Sequence, residues 1–438
     1  MASLRTVSGV CALLTACGGG GRPDGQDGES GGGISVSITN PGTDADGSGG
    51  TAVATTGASA DSADGPAEGP LQPPKFDIPF PDAPTGCGAF GGGDGGGAPD
   101  FSYIWVANSS EGTVSKINTQ SLIEEGRYIV RADGIGSPSR TSVNLNGDMA
   151  VANRSSGVTK IYARAEDCPD AANSSTGGAD IKPWQDGCIA WFTPFAYASQ
   201  RPLAWTQGEF DTGTCRYENT KLWTSGANAS IDVILIDGET GVVEQTIPIP
   251  GVAANYYGIY GAAVDSQGNF WGSQLSLGSL VQVKLADFSV TVWPMNQPGY
   301  GMTVDSEGRP WTCSSAVARF DPTDQSWASN GTAGASGGGC MVDADGILWV
   351  GGYAGAGYNL LGIDSETLVL TQTIPLPNYA KGISIDFEGN VWAVSYTADA
   401  YRVNPTTGQI DTFTGLVGPY TYSDMTGFAL SQAGGPAG

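Results

Sequence analysis

The sequence predicts an all-β protein: a seven-bladed β-propeller closed by a C-terminal strand and preceded by a disordered, Gly/Asp-rich tether. Three observations carry this expectation. Short apolar runs separated by turn residues begin at Phe101 and have the texture of many strands. An Asp/Asn-x-x-Gly turn recurs in them, usually followed by tryptophan, at the spacing of roughly 40 residues that a four-stranded blade needs. The stretch before them carries few large apolar residues, so it cannot bury enough surface to offset chain entropy.

The 438-residue chain opens Met1-Ala-Ser-Leu-Arg5, continues with an apolar run from Val7 to Leu14, and then reads Thr15-Ala16-Cys17. A basic residue, a short apolar core and small residues before a cleavage point predict a secretory signal over residues 1–16, too short to span a bilayer. Residues 17–98 follow as a flexible acidic linker, with no Lys or Arg between Arg22 and Lys75;. Asp44-Ala-Asp46-Gly47 has the opening of a calcium loop without its remaining ligands;, and reads as spacer.

The propeller is expected over residues 99–438. Its inner hairpins are Val143-Asn-Leu-Asn-Gly-Asp148, Val264-Asp-Ser-Gln-Gly-Asn269, Val304-Asp-Ser-Glu-Gly-Arg309, Val342-Asp-Ala-Asp-Gly-Ile347 and Ile385-Asp-Phe-Glu-Gly-Asn390, with Trp271, Trp311, Trp349 and Trp392 opening the next strand. The carboxylate or amide caps each turn and glycine takes its left-handed position. A second turn recurs at Ile236-Asp-Gly-Glu-Thr-Gly241, Phe320-Asp-Pro-Thr323, Ile363-Asp-Ser-Glu-Thr367 and Val403-Asn-Pro-Thr-Thr-Gly408. Two hairpin turns make four strands per unit. The long gap between Asn144 and Asp265 hides one more blade, begun by Arg201-Pro-Leu-Ala-Trp205 and Lys221-Leu-Trp-Thr224. The last blade is split: Ile104-Trp-Val-Ala-Asn108 lacks a strand before it and Met425-Thr-Gly-Phe-Ala-Leu430 lacks one after it. Joining them closes the ring and removes its open edges. The count is seven, with six and eight as the neighbouring alternatives.

Composition narrows function. The formal net charge is −25 with only 14% charged residues, and histidine is absent. Phosphate backbones and anionic headgroups would repel such a chain, which argues against nucleic-acid partners. The absence of histidine removes the Ser-His-Asp and Cys-His arrangements and most zinc and copper sites.

Leu14-Thr15-Ala16-Cys17 resembles the bacterial lipobox. The resemblance implies acylation of Cys17 as the new N-terminus and, with Gly18 following, an outer-membrane lipoprotein facing periplasm or exterior. The G-x-x-x-D-x-x-G-x-x-W unit over roughly residues 101–435 resembles NHL and virginiamycin B lyase-like propellers, which border the gluconolactonase type. It implies architecture only. The lyases depend on histidine, so their activity is not carried over; a lactonase-type calcium site needs none, but only Asn108 and Asn153 occupy equivalent second-strand positions here.

Candidate ligand residues come from the first strand of each blade, which lines the channel. Four residues before the turn Asp stand Gly261, Gly301, Gly339 and Gly382, with Gly427 in the closing strand. Two adjacent blades carry Arg140 and Arg201 instead, and one residue further back lie Tyr260, Tyr300 and Lys381. Together they predict a cationic, aromatic mouth for an anionic ligand, arginine forks taking carboxylate or sulfate. The competing reading has both arginines neutralised by channel acids or carbonyls. The same two blades are enlarged around 165–190 and 207–219 on the opposite face.

Beyond Cys11 and Cys17, six cysteines remain, an even count that favours disulfides in an exported protein;. Cys168 is expected to pair with Cys188, Cys313 with Cys340, and Cys87 with Cys215. The sequence thus points to a surface-tethered, non-catalytic binding or interaction propeller of the bacterial envelope, monomeric, without a cofactor. Its expected partners are an anionic glycan, a small carboxylate or an envelope protein, and it would touch the membrane through its lipid anchor alone. The alternative is a histidine-independent, metal-assisted hydrolase of the gluconolactonase kind, for which Ca2+ would be the metal.

Overall fold

The computed structural model describes residues 102–331, 335–353 and 357–433. The signal segment, Cys17, the linker and Cys87 lie outside them. Six four-stranded antiparallel sheets follow one another along the chain, from Pro138–Val143 through Ile189–Thr193, Ser199–Trp205 through Val243–Pro248, Ile259–Val264 through Val290–Pro294, Gly301–Val304 through Ser326–Asn330, Ala335–Val342 through Leu370–Pro375, and Ala380–Ile385 through Ile410–Thr414. These are blades two to seven. The first strands of neighbouring blades lie against one another around the central channel.

Blade one has the strands Tyr103–Asn108, Thr113–Asn118 and Glu124–Ile129 and takes its inner edge from the C-terminal segment. The Trp105 N–H donates to the Met425 carbonyl at 2.9 Å, the Tyr420 N–H to the Ala107 carbonyl at 3.1 Å, and Asn108 pairs with Pro419. The ring therefore closes from the C-terminus as expected, but through residues 419–425 and not 425–430. Phe428–Ala433 is a short helix. The Asp424 carboxylate accepts the N–H groups of Thr426, Gly427 and Leu430 and winds the chain out of the sheet. Gly427, expected on the channel tier, lies in that turn at φ 88°.

The repeated unit is a hydrogen-bonded clamp. Asp305 accepts the Arg309 N–H at 2.9 Å through one oxygen and the Trp311 indole N–H at 2.8 Å through the other. Asp265–Trp271, Asp343–Trp349 and Asp386–Trp392 repeat it at 2.9, 2.7 and 2.8 Å. Each carboxylate thus ties the turn it caps to the tryptophan core of its own blade, and all four of these tryptophans are buried. Blade two lacks the tryptophan, and its Asn144 Nδ2 has no partner. It buries an Asp148–Lys160 ion pair at 3.3 Å instead.

Crowding at the axis explains the glycine tier. A methyl group on Gly301 would sit 2.1 Å from the Gly338 oxygen, and one on Gly382 would sit 2.4 Å from that of Thr421. Two disulfides join expected partners: Cys168–Cys188 closes the blade-two insertion, and Cys313–Cys340 links the second strand of blade five to the first of blade six. Cys215 is disulfide-bonded. The two enlarged segments meet on the face opposite the arginines through an Arg216–Asp167 ion pair at 2.5 Å, and the blade-three segment is also held to the inner turn of blade two by hydrogen bonds between the Asn146 amide and the Tyr217 backbone at 2.7 and 2.9 Å.

The clamp generates the first prediction. Asp386→Ala strands a buried indole N–H and two turn N–H groups, and it should lower unfolding free energy by about 2–4 kcal/mol. Denaturant unfolding checks this, and a loss well under 1 kcal/mol would show that the clamp contributes little.

Candidate functional site

The channel mouth is built by irregularities that recur in the first strands. Pairing with the second strand slips between Pro138 and Arg140, Ile259 and Gly261, and Ala380 and Gly382, and blade three slips opposite Thr224 and Gly226. A bulge bends its strand and re-aims a side chain. Tyr260 and Lys381 occupy two of these bulges, and Tyr300 directly precedes the strand Gly301–Val304.

These side chains converge. Tyr260 and Tyr300 meet edge to face at 5.1 Å, and the Lys381 ammonium lies 3.9 Å from the Tyr300 ring centre while donating to the Gly337 carbonyl at 2.7 Å. The Arg140 guanidinium is wholly buried, 3.3 Å from the Tyr422 ring centre and 4.4 Å from that of Tyr260, and it donates to the Tyr260 carbonyl at 3.0 Å. Its Nε has no partner. Arg201 is only partly buried. It lies 4.7 Å from the Tyr257 ring centre and 5.0 Å from that of Tyr260, with its Nε likewise unpartnered. All five predicted residues are therefore gathered at one mouth, but Arg140 lies beneath the tyrosines and Arg201 at their edge.

Three participants were not foreseen. Arg154, in the loop after the second strand of blade two, stands 4.2 Å from the Tyr420 ring centre, and its Nε is also buried and unpartnered. Tyr420 and Tyr422 come from the closing segment. The Tyr420 hydroxyl bonds those of Tyr260, at 3.0 Å, and Tyr300. Placing the closing strand at 425–430 hid both tyrosines, although Tyr420-Thr-Tyr422 has strand alternation.

The electrostatics of the cluster are unusual within this chain. Of the described arginines, every one outside the mouth forms an ion pair, from Arg127 with Glu124 to Arg402 with Asp411. Arg140, Arg154 and Arg201 have no carboxylate in ion-pair range among the described residues. Neutralisation by channel acids is thus not what holds Arg140; a carbonyl and two ring faces do. Burial pushes Arg140 down to about 9 despite the tyrosines around it, and Arg201 adds repulsion. Burial likewise lowers Arg154, with Arg201 repelling it as well. Burial and neighbouring tyrosines push the Tyr300 hydroxyl up, so it stays a neutral donor.

An anion arriving here would meet the partly exposed side chains of Arg154, Arg201, Tyr257 and Tyr300, arranged before it binds over a buried layer of Tyr260, Tyr420 and Tyr422. Among the described residues the mouth brings no carboxylate into ion-pair range of these arginines; the protic groups beside them are the hydroxyls of Tyr260, Tyr300 and Tyr420. Asn108, considered for a metal, donates its amide to Thr113 and Ser115 of its own blade, and Asn153 donates to Gly157. Among the described residues no group of three or more Asp, Glu or Cys side chains is gathered as a metal site. Toward the other end of the channel a cavity of about 30 Å³ lies between the first strands and the helix residues Ala429 and Leu430.

No protein family matches the chain, and no curated protein does. Among solved structures it is similar to a functionally unknown protein from Desulfotomaculum acetoxidans, with 10% identity and a TM-score of 0.51 over 72% of this chain and 96% of that one. It is also similar to virginiamycin B lyase from Staphylococcus aureus, with 13% identity and a TM-score of 0.48 over 67% of this chain and 92% of that one. A protein of unknown function from Bacteroides caccae gives 11% identity and a TM-score of 0.41 over 63% and 94%. At such identities the likeness concerns the fold alone.

The aromatic sandwich predicts unequal mutational costs. Arg140→Met exchanges a buried charge, with its desolvation cost, for an apolar chain of similar length, and should change stability by no more than about 1 kcal/mol. Tyr422→Ala leaves a cavity and should cost about 3–5 kcal/mol. Thermal and denaturant melts of both variants check the contrast, and a larger loss from Arg140→Met would make that arginine a structural pin.

Proposed function

We propose that this chain is a surface-tethered, non-catalytic binding propeller of the bacterial envelope, and that its channel mouth holds an anionic ligand, an acidic glycan or small carboxylate. One observation carries the reading: in a chain of net charge −25, the arginines without a carboxylate partner among the described residues, Arg140, Arg154 and Arg201, stand together at one tyrosine-lined opening. Guanidinium groups held out of water without a counter-charge are costly, and a bound anion would supply that charge. The forks of Arg154 and Arg201 would take the carboxylate, tyrosine faces would cover the apolar side of the ligand, and Arg140 would position Tyr260 and Tyr422 from below.

The test is titration calorimetry of the full chain with galacturonate oligomers and small carboxylates, beside an Arg154→Ala/Arg201→Ala variant of unchanged melting temperature. The parent should bind in a salt-sensitive manner, and the variant at least about tenfold more weakly, the loss of a single good charge-assisted contact. Equal binding by both, or none by the parent, overturns the reading.

Tethering is supported by Leu14-Thr15-Ala16-Cys17 and the spacer of residues 17–98, Cys17 carrying the acyl chains and the outer membrane receiving them. Metabolic labelling with a palmitate analogue in a bacterial host should mark the parent and not Cys17→Ser, and the variant should leave the membrane fraction. Label retained on Cys17→Ser would overturn lipidation at that residue.

A further inference from the structure

The mouth is the centre of a longer feature. Beyond Lys381, whose ammonium lies 5.7 Å from the Tyr379 ring centre, Tyr379 stacks on Tyr353 at 5.8 Å with planes 9° apart and meets Tyr358 at 6.1 Å. Tyr353 and Tyr358 are 51% and 41% exposed, at the loop joining the second and third strands of blade six. On the other side, Tyr260 meets Tyr257 at 5.6 Å and Tyr257 meets Tyr256 at 4.9 Å; Tyr256 is 68% exposed in the connection entering blade four. The two groups of rings, bridged by the Lys381 ammonium between Tyr379 and Tyr300, form one line from the rim of blade six, across the channel mouth, to the rim at blade four, with Tyr260 buried beneath its centre. Cations stand along it: Lys381 on the blade-six side, Arg201 beside Tyr257 and Arg154 over Tyr420.

Exposed rings at both ends of this line, Tyr353 and Tyr358 on one side and Tyr256 on the other, with the partly exposed Tyr379, Lys381, Tyr300, Arg201 and Tyr257 between them, mark an interaction surface, and this one is too long for a single small anion. From this geometry we infer that the ligand is an extended acidic polysaccharide laid across the face, with several sugar units on the track and one uronate at the arginines. The inference rests on the channel-mouth reading and names its ligand class. Each unit of such a polymer carries both parts the track provides for, an apolar ring face to lie on a tyrosine and a carboxylate to meet a cation. An acidic polypeptide offers the carboxylates without ring faces, which would leave the rim tyrosines uncovered. The local excess of cations on an otherwise anionic protein gives the charge complementarity that guides such a chain to this face.

The experiment compares full-length parent, Tyr353→Ala/Tyr358→Ala and Arg154→Ala/Arg201→Ala, binding galacturonate monomer, short and long oligomers, and polyglutamate of matched charge. For the parent, affinity per chain end should rise at least about tenfold from monomer to long oligomer, each added stacking or charge contact contributing part of that factor. The tyrosine variant, whose changed residues are half exposed and leave the core intact, should keep the monomer affinity and lose the gain with length. Length-independent affinity in the parent, or an undiminished gain in the tyrosine variant, overturns the track while leaving the mouth site standing. Polyglutamate binding as tightly as the long glycan, with the same dependence on Tyr353 and Tyr358, overturns the polysaccharide and makes an acidic polypeptide the occupant. Parent-like binding by the arginine variant overturns the mouth site itself.

Discussion

The structure depends on how closely the inner strands approach the propeller axis. At Gly301 and Gly382 the neighbouring carbonyl oxygens leave no room for a β-carbon, so these positions belong to glycine for steric reasons. Above that tier the strands slip in register, and the residues displaced by the slip, Tyr260 and Lys381, are turned over the opening. The tight ring and the crowded mouth are thus two results of one packing problem. Side chains that cannot fit inside the channel accumulate at its end.

That arrangement also accounts for the state of the arginines. Arg140 stands on the glycine tier and escapes upward between Tyr260 and Tyr422, where ring faces and one carbonyl replace water. Desolvated cation–π contacts are worth about 2 kcal/mol each, comparable in scale to the burial penalty of several kcal/mol they oppose. The outcome is a preformed, rigid floor beneath Arg154 and Arg201, which keep partial access to solvent. Preorganisation of this kind lowers the ordering cost of binding.

Much of this was legible in the sequence wherever a side chain's role is local. The turn Asp and the Trp six residues on, as in Asp386 and Trp392, form a pair within one hairpin, so spacing alone exposes it. The Cys168–Cys188 and Cys313–Cys340 bridges were legible for a similar reason, one closing an insertion within blade two and the other joining neighbouring blades. The mouth was readable in part: Arg140 and Arg201 stand at the glycine position of the first strands, and Tyr260, Tyr300 and Lys381 one residue before it in other blades. Arg154 lies in a loop outside that register, and Tyr420 and Tyr422 arrive from a segment with no repeat partner. The apolar texture of Met425–Leu430 imitates a strand, but Asp424 caps a helical turn there, and a capping carboxylate outweighs strand texture over so short a span. The depth of Arg140 was also invisible, because burial is set by the closing segment and not by its own strand.

Closure of blade one by residues 419–425 has a consequence for how such a protein changes over generations. A ring sealed by its own two ends has no free edge where an added unit could pair. Blade number can therefore grow or shrink only by duplication or loss inside the chain, where the flanking sheets re-form the contacts of the ring. Novelty at either terminus is confined to what hangs outside it, and insertions such as those in blades two and three are the route by which the ring itself diversifies.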